Sequence, residues 1–318
     1  MRYLIVKTGD TELLRDSHLE GISDGEVFRS GVLLSRLLPR DNEVYWYGVP
    51  KKLRALFPSR QNLRFVDSFD EVEEPDEVFY LERTEVAIPK KWETKTRGFY
   101  LDGHCWRTVP RFPELEDVIS SGQGSSRYSH PHWLYKLCGM TWRGEPYWSY
   151  LRVQVGETRK TPLVGLNPRV GIKWPQKGWP MERWWGLSKK LNALGCKVTW
   201  QPGGDMQSYV DWIYNLDLLI SVDTLGLHIA LGGGVPVIGL FGPTSPEEIP
   251  KWGVGFWLWE RGGKMTHSVD RVFDATRRYL RAIRSGHIKG HPGTSLLNDM
   301  FKKTNKYPGS WTRFNRLV

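Results

Sequence analysis

The stretch LLISVDTLGLHIALGGGVPVIGLFGPTSP, residues 218–246, decides the fold. It begins with an apolar run of strand length at 218–222 and continues through a helical segment at 225–231. A second apolar run follows at 235–241. Continuous apolar strands that alternate with helices are typical of parallel sheets whose two faces are both covered. The stretch therefore predicts a β-α-β unit of an open α/β sheet.

The same alternation extends along most of the chain. The other predicted strands are 2–7, 43–48, 63–66, 77–81, 163–166 and 196–200, and the other predicted helices are 26–38, 50–57, 180–194, 206–214 and 271–285. The aromatic-rich middle predicts only a helix at 131–140 and a loop at 120–126. Since alternating strands and helices form parallel sheets with crossover helices, we expect two α/β domains in series. Their predicted limits are 1–155 and 156–318, and the second carries a basic helix and a basic tail.

Length and composition fit a globular chain. The 318 residues are 40% hydrophobic and 25% charged, which is ordinary for a folded domain. No apolar run approaches the roughly 18–20 residues that cross a bilayer, and the opening run is too short for a signal sequence. Cys105, Cys138 and Cys196 lack the spacing of a zinc site, which favours free thiols. We expect a cytoplasmic protein without a bound metal.

The chain carries a net charge of +10, and the positive excess grows toward its end, from Arg277 to Arg316. A basic surface favours anionic partners, among them nucleic acid, anionic lipid headgroups and phosphorylated glycans. It would also support a peripheral contact with a membrane. A solvated charged face is the ordinary explanation of the same pattern.

Polar residues follow three strands of the second half, at the edge where open α/β sheets bind ligands. The candidate donor-binding residues there are Asn167, Lys173, Lys177, Asp223, Thr224, Leu225, Gly226, His228, Gly242 and Thr244. A helix start offers unpaired N–H groups and roughly half a positive charge to an anion, and a lysine adds a full charge. Together these residues predict a diphosphate site, although capping of the helix and an ordinary turn would explain individual members.

The order of these residues resembles the donor site of glycosyltransferase family 9, the ADP-heptose lipopolysaccharide heptosyltransferases. Asp223-Thr224-Leu225-Gly226-Leu227-His228-Ile229-Ala230 is similar to the family's Asp-Ser/Thr-Gly-x-x-His-x-Ala, and Phe-Gly-Pro-Thr follows at 241–244. Upstream, Gly165-Leu166-Asn167, Trp174, Lys177, Trp179 and Pro180 match the family's Gly-Leu-Asn…Trp-x-x-Lys-x-Trp-Pro. The chain departs from the family at Leu225, where the usual glycine comes one residue later.

The resemblance implies a GT-B fold, in which two Rossmann-like domains face each other across a cleft. The C-terminal domain would bind the nucleotide sugar as co-substrate, and the N-terminal domain would bind the acceptor. Transfer would be inverting, with neither metal nor cofactor. Positive protein groups would then stabilise the departing diphosphate, a role that fits Lys177 and the helix start at 224–226. Asp205 lies where the family recognises the nucleoside and would accept a ribose hydroxyl; a turn aspartate is the alternative.

Inverting transfer also needs a base that removes the proton of the acceptor hydroxyl. The family places an Asp in the loop after the first strand, within Gly-Asp-Val. Here Gly9-Asp10 matches by direct counting, and Gly25-Glu26-Val27 matches by the helix that follows. Glu26, Asp10 and Asp24 therefore remain alternative bases.

Three hypotheses about function stay open at this level. The first is transfer to a glycan or glycolipid acceptor. The second is transfer to nucleic acid or a modified base, since the aromatic and basic residues between 90 and 150 would stack on bases and bind phosphates. The third is an inactive homologue that only binds a nucleotide sugar. A nicotinamide-dependent dehydrogenase is excluded because no GxGxxG follows the first strand.

Overall fold

The computed structural model describes residues 1–8, 24–57, 59–82, 86–102, 105–121, 129–147, 159–171 and 174–288. The chain divides into two compact units, one of residues 1–150 with 247–250 and the other of 151–246 with 251–318. The boundary predicted at 155/156 lies outside the described residues. Each unit contains its own sheet, and both are α/β, as the sequence predicts.

The first unit is built on a six-stranded sheet in the order β3-β2-β1-β4-β5-β6. Its strands are β1 (Arg2–Val6), β2 (Glu43–Tyr47), β3 (Leu63–Val66), β4 (Glu77–Tyr80), β5 (Thr96–Asp102) and β6 (Cys105–Val109). Its helices are α1 (Asp24–Ser30), α2 (Leu34–Leu37), α3 (Lys51–Arg54), α4 (Pro113–Ser121) and α5 (His130–Leu137). All neighbouring strands are parallel except β6, which runs antiparallel to β5.

The helix predicted at 26–38 is a broken one. After α1, a 3-10 turn at Gly31–Leu33 leads into α2, and a second 3-10 turn at Leu38–Arg40 ends at Asp41 in the left-handed region. The α-helical part ends at Leu37, two residues before Pro39, and Pro39 lies within the 3-10 turn that follows. A Cβ on Gly31 would lie 2.5 Å from the Phe57 ring, so a side chain there would push this segment off the domain core.

The aromatic-rich middle contributes β5 and β6, which the sequence did not predict. A glycine and several charged residues interrupt the apolar pattern of these two strands. They are stabilised by pairing, β5 with β4 and β6 with β5, which the local sequence pattern does not show. Trp92, Trp133, Tyr135 and Tyr147 of this region are buried. These four aromatics pack inside the first unit.

The second unit is built on a five-stranded parallel sheet in the order β11-β10-β9-β7-β8. Its strands are β7 (Leu163–Asn167), β8 (Lys197–Trp200), β9 (Leu218–Val222), β10 (Val237–Phe241) and β11 (Gly255–Trp259). Its helices are α6 (Met181–Ala193), α7 (Met206–Tyr214), α8 (Leu225–Gly233) and α9 (Val269–Arg284). The edge strand β11 was not predicted. Among the described helices, none is both long enough and apolar enough to cross a membrane.

Packing of the second unit follows the apolar faces of its helices. The buried side chains of α9, such as Val272 and Tyr279, share a core with Trp184 and Leu187 of α6. Helix α8 is buried along almost its whole length, which explains why its sequence shows no polar face. It ends at Gly234, whose φ of 77° a residue without Cβ adopts at little cost.

The strand order reverses beside the first strand of each sheet. In the first unit β1 lies between β2 and β4, and in the second unit β7 lies between β8 and β9. Crossover connections leave in opposite directions at such a point and open a crevice outside the carboxyl ends of the strands. Each unit therefore has one favoured ligand position, at the ends of β1 and β4 and at the ends of β7 and β9.

Candidate functional site

Asn167 ties together the strand ends of the second unit. It is the last residue of β7, opposite Ser221 of β9, and its side chain is fully buried. Its Nδ2 donates to Ser221 Oγ at 2.8 Å and to Thr224 Oγ1 at 3.1 Å, and the Tyr209 hydroxyl donates to its Oδ1 at 2.8 Å. Because its amide already makes these three hydrogen bonds, Asn167 holds the surrounding residues in place.

Helix α8 starts at this junction. Thr224 precedes its first turn in an extended conformation, and its side chain does not cap the helix because the hydroxyl contacts Asn167 instead. The first N–H groups of a helix attract anions, so the absence of a side-chain cap from Thr224 suits a phosphate site. Leu225, the first helical residue, is half-buried.

Close packing explains why residue 226, one position later than the glycine of the family motif, is a glycine. A Cβ on Gly226 would lie 2.0 Å from the Tyr209 hydroxyl and 2.7 Å from Asn167 Nδ2. Tyr209 comes from α7, and burial raises its pKa well above the usual range for a phenol. Glycine at 226 is thus needed to let α7 and the end of β7 approach the start of α8.

The carboxylate of Asp223 joins the three polar segments. Its Oδ2 accepts from Lys177 Nζ at 2.7 Å and from Thr244 Oγ1 at 2.8 Å. Nε2 of His228, on α8, lies 3.6 Å from Asp223 Oδ1. The side chains of Lys177 and Asp223 are largely buried, which weakens solvent screening and fixes the ammonium beside the start of α8. The residues predicted from the sequence therefore converge on one position.

The loop that carries Thr244 packs against residues 264–267. A Cβ on Gly242 would lie 2.5 Å from the backbone oxygen of Lys264, so only glycine fits this crossing. His267 is fully buried with its Nε2 2.9 Å from the carbonyl oxygen of Phe241. Burial lowers the pKa of His267 below its usual value. These contacts fix the strand end from which the loop leaves.

Two further predicted residues have different outcomes. Asp205 caps α7, because its Oδ1 accepts from the Ser208 backbone amide at 2.7 Å, and hydrogen bonds of this kind lower the pKa of its carboxyl. A contact of Asp205 with the ribose remains a prediction. Lys173 lies outside the described residues.

The first unit holds a second polar cluster, at the carboxyl ends of β1 and β4. Glu82 is fully buried, and its Oε2 accepts from both the backbone N–H and the hydroxyl of Thr8 at 2.9 Å. Lys7 Nζ lies 3.8 Å from Glu82 Oε1 and 3.8 Å from Glu26 Oε2. Of the three candidate bases, the structure places Glu26 in this cluster.

The other two candidate bases are not part of that cluster as described. Asp24 pairs with the exposed Lys52 at 2.9 Å. Asp10 lies outside the described residues. The sequence analysis did not predict Lys7, Glu82 or Tyr209 as site residues. Lys7 and Glu82 lie just after the apolar strands β1 and β4. The rule that ligands bind at the carboxyl ends of parallel strands would have found these two.

Among the described residues, no group of three or more His, Cys, Asp or Glu side chains is arranged to hold a metal ion. Comparison with known proteins adds independent findings. Residues 202–255 match the model of glycosyltransferase family 9 (heptosyltransferase), and this segment contains Asp223, His228 and Thr244. No curated protein matches the chain.

Several solved structures share the fold over most of the chain. They include a family 9 glycosyl transferase from Veillonella parvula, 14% identical with a TM-score of 0.55, covering 88% of this chain and 97% of that one. Heptosyltransferase WaaC of E. coli, solved with ADP, is 16% identical with a TM-score of 0.53 and coverages of 88% and 100%. ADP-heptose lps heptosyltransferase II of E. coli is 14% identical with a TM-score of 0.55 and coverages of 90% and 99%.

At these identities the structural likeness establishes the fold, and the family match lies on the segment that carries the candidate donor residues Asp223, His228 and Thr244. The chain therefore has the GT-B fold of these glycosyltransferases, built from two Rossmann-like units. Within that class it is heptosyltransferase-like and resembles family 9, as its donor motif indicates.

Proposed function

We propose that the chain is an inverting glycosyltransferase that moves a sugar from a nucleotide diphosphate sugar to a hydroxyl of a glycan or glycolipid, with neither metal nor cofactor. The junction of Lys177, Asp223 and Thr244 at the start of α8 is the observation that carries the proposal. WaaC has been solved with ADP and with ADP-2-deoxy-2-fluoro heptose. We infer an ADP-heptose-like donor for this chain from the likeness of fold and motif.

The chemistry asks for positive charge at the leaving group. When the bond between the anomeric carbon and the diphosphate breaks, negative charge grows on the phosphate oxygens. The ammonium of Lys177 and the N–H groups at the start of α8 would stabilise that charge. Asp223 keeps the ammonium in place before the donor arrives, because the two groups are 2.7 Å apart and largely shielded from water.

Glu26 is the proposed base. It would remove the proton of the acceptor hydroxyl as the oxygen attacks the anomeric carbon from the side opposite the diphosphate, and this single displacement inverts the configuration. Glu26 lies at the switch point of its sheet, within reach of Lys7. Asp24 is the weaker candidate because, among the ion pairs of the described residues, it makes one with Lys52 at 2.9 Å and none with Lys7.

The proposed acceptor is anionic. The outward face of α9 is basic, with exposed arginines at Arg271, Arg278, Arg281 and Arg284. Helix α9 belongs to the second unit and not to the unit proposed to bind the acceptor, so this face would attract the anionic surface that presents the acceptor and would not itself form the acceptor site. A peripheral contact with a membrane that carries the glycolipid would use the same surface.

A thermal-shift panel of nucleoside diphosphates and nucleotide sugars tests the donor site. A ligand that binds only the folded protein stabilises it by mass action, by about 2.7 kcal/mol when the ligand concentration is a hundred times Kd. This stabilisation raises the melting temperature. We expect the largest shift with an adenosine diphosphate sugar. Absence of a shift with every diphosphate would contradict the proposal.

The Lys177→Met variant tests the chemistry. We expect transfer to fall by roughly 10²–10³-fold, as when one donor to a developing oxyanion is removed. Lys190→Met is the matched control, because Lys190 makes a 2.7 Å ion pair with Asp270 on the exposed face of α6. Transfer that falls equally in both variants would show a general loss of stability and not a role at the diphosphate.

A further inference from the structure

The first unit carries two charged side chains at the point where its strand order reverses. Lys7 directly follows β1, and Glu82 lies beyond the end of the neighbouring β4. The side chain of Lys7 is only 7% exposed and that of Glu82 is 0% exposed. Charged groups are rarely buried to this degree unless they are paired, because leaving water costs several kcal/mol per ion. The burial of Lys7 and Glu82 therefore indicates that their charges are held there by specific contacts.

The geometry gives the cluster a fixed end and an accessible end. Two hydrogen bonds from Thr8 hold the Glu82 carboxylate, and the indole of Trp46 donates to the Lys7 carbonyl oxygen at 3.3 Å. The Lys7 ammonium then lies 3.8 Å from an oxygen of Glu82 and 3.8 Å from an oxygen of Glu26. Glu26 is the exposed member, with 32% of its side chain accessible.

A purely structural ion pair would need one lysine and one carboxylate. Within the described part of the chain, the Lys7 ammonium lies beside two carboxylates, and the second of them, Glu26, reaches solvent at the ligand-binding edge of the sheet. We propose that Lys7 and Glu82 are positioning residues, which hold the Glu26 carboxylate where it takes the proton of the acceptor hydroxyl. This inference rests on the proposed role of Glu26 as the base.

Steady-state transfer kinetics on the full chain test the inference. For Lys7→Met and for Glu82→Gln we expect kcat to fall about tenfold to a hundredfold, since a displacement of about 1 Å in a reacting group has effects of this size. We expect the KM for the donor to stay within about twofold, because neither residue belongs to the donor site. Lys52→Met, which breaks the exposed pair with Asp24, is the matched control and should keep normal kcat.

A double variant separates positioning from folding. In the Glu26→Ala background there is no carboxylate left to position, so adding Lys7→Met should lower the residual rate no further. An equal loss in both backgrounds would overturn the inference. Should Lys7→Met fail to fold, Glu82→Gln decides, because its amide oxygen still accepts from Thr8; a normal kcat in that variant would also overturn the inference.

The outcome for Glu26→Ala distinguishes the two levels of the proposal. Near-normal turnover in Glu26→Ala would remove Glu26 as the base and would refute that part of the proposed function. Loss of turnover in Glu26→Ala together with normal kcat in both Lys7→Met and Glu82→Gln would overturn the positioning role alone.

Discussion

Replacing Gly226 by alanine should damage the candidate donor site, mainly through a contact with Tyr209 and also through Asn167, whose Nδ2 would lie 2.7 Å from the new Cβ. The new Cβ would lie 2.0 Å from the Tyr209 hydroxyl, a separation that carbon and oxygen do not tolerate. To reach even 3.0 Å the hydroxyl must retreat by at least about 1 Å, and overpacking of this kind costs roughly 1–3 kcal/mol. The hydroxyl would then lose its 2.8 Å bond to Asn167, which in turn holds Thr224.

The net effect on stability can be estimated from opposing contributions. Losing one buried hydrogen bond adds about 1 kcal/mol to the cost of overpacking. Alanine is a better helix former than glycine by up to about 1 kcal/mol in a helix interior, and this offsets part of the loss. We expect a destabilisation of about 2 kcal/mol, which lowers the melting temperature by roughly 4–8 °C for a unit of this size.

Urea unfolding with and without a nucleoside diphosphate measures both effects. Gly203→Ala is the matched control, because a Cβ there meets nothing within 4 Å, and its stability should change by less than about 0.5 kcal/mol. Tyr209→Phe removes the atom that Gly226→Ala strikes, so the double variant should be more stable than the sum of the single losses predicts. Equal stability of Gly226→Ala and Gly203→Ala, with unchanged ligand binding, would refute this reasoning.

Three further predictions concern neighbouring groups. Asp205→Ala should be less stable, because the cap on the Ser208 amide is removed, whereas Asp205→Ser should keep the cap. Weaker donor binding in Asp205→Ser would reveal a ribose contact, and unchanged binding would exclude it. Asp223→Asn should weaken donor binding in a thermal-shift titration by releasing the Lys177 ammonium from its position, and unchanged affinity would contradict that role. Because burial lowers the pKa of His267, the unfolded chain takes up a proton there at higher pH than the folded chain, so stability should fall as the pH drops below about 6.5. His267→Gln should show a smaller fall between about pH 7 and pH 5.5 in urea unfolding, and an equal fall would place the acid sensitivity elsewhere.

Elements with clear local patterns were predictable. The strands Leu63–Val66 and Leu218–Val222 and the helix Met206–Tyr214 have the predicted bounds, because apolar periodicity and turn residues mark their ends. The strands β5, β6 and β11 were missed. Their stability comes from pairing with strands far away along the chain and from the edge of a sheet, which no window of sequence contains.

The convergence of the candidate donor residues was predictable for a related reason, whereas their contact with a donor stays a prediction. Asp223, Thr224 and His228 lie within one strand–helix connection, so their order alone indicates where an anion binds. The role of Gly226 was not visible there, because the hydroxyl that excludes a side chain belongs to Tyr209 on another helix.

The sequence by itself determined the α/β class, the alternation of strands and helices and the position of the donor motif, since each depends on residues close together along the chain. Only the tertiary structure decided which candidate acid lies with Lys7 and Glu82 and which pairs with Lys52 at the surface. Glu26 and Asp24 are two residues apart, and each carries one carboxylate. They differ in their neighbours: Lys7 and Glu82, which follow β1 and β4, lie near Glu26. These neighbours come together only when the two parallel strands pair.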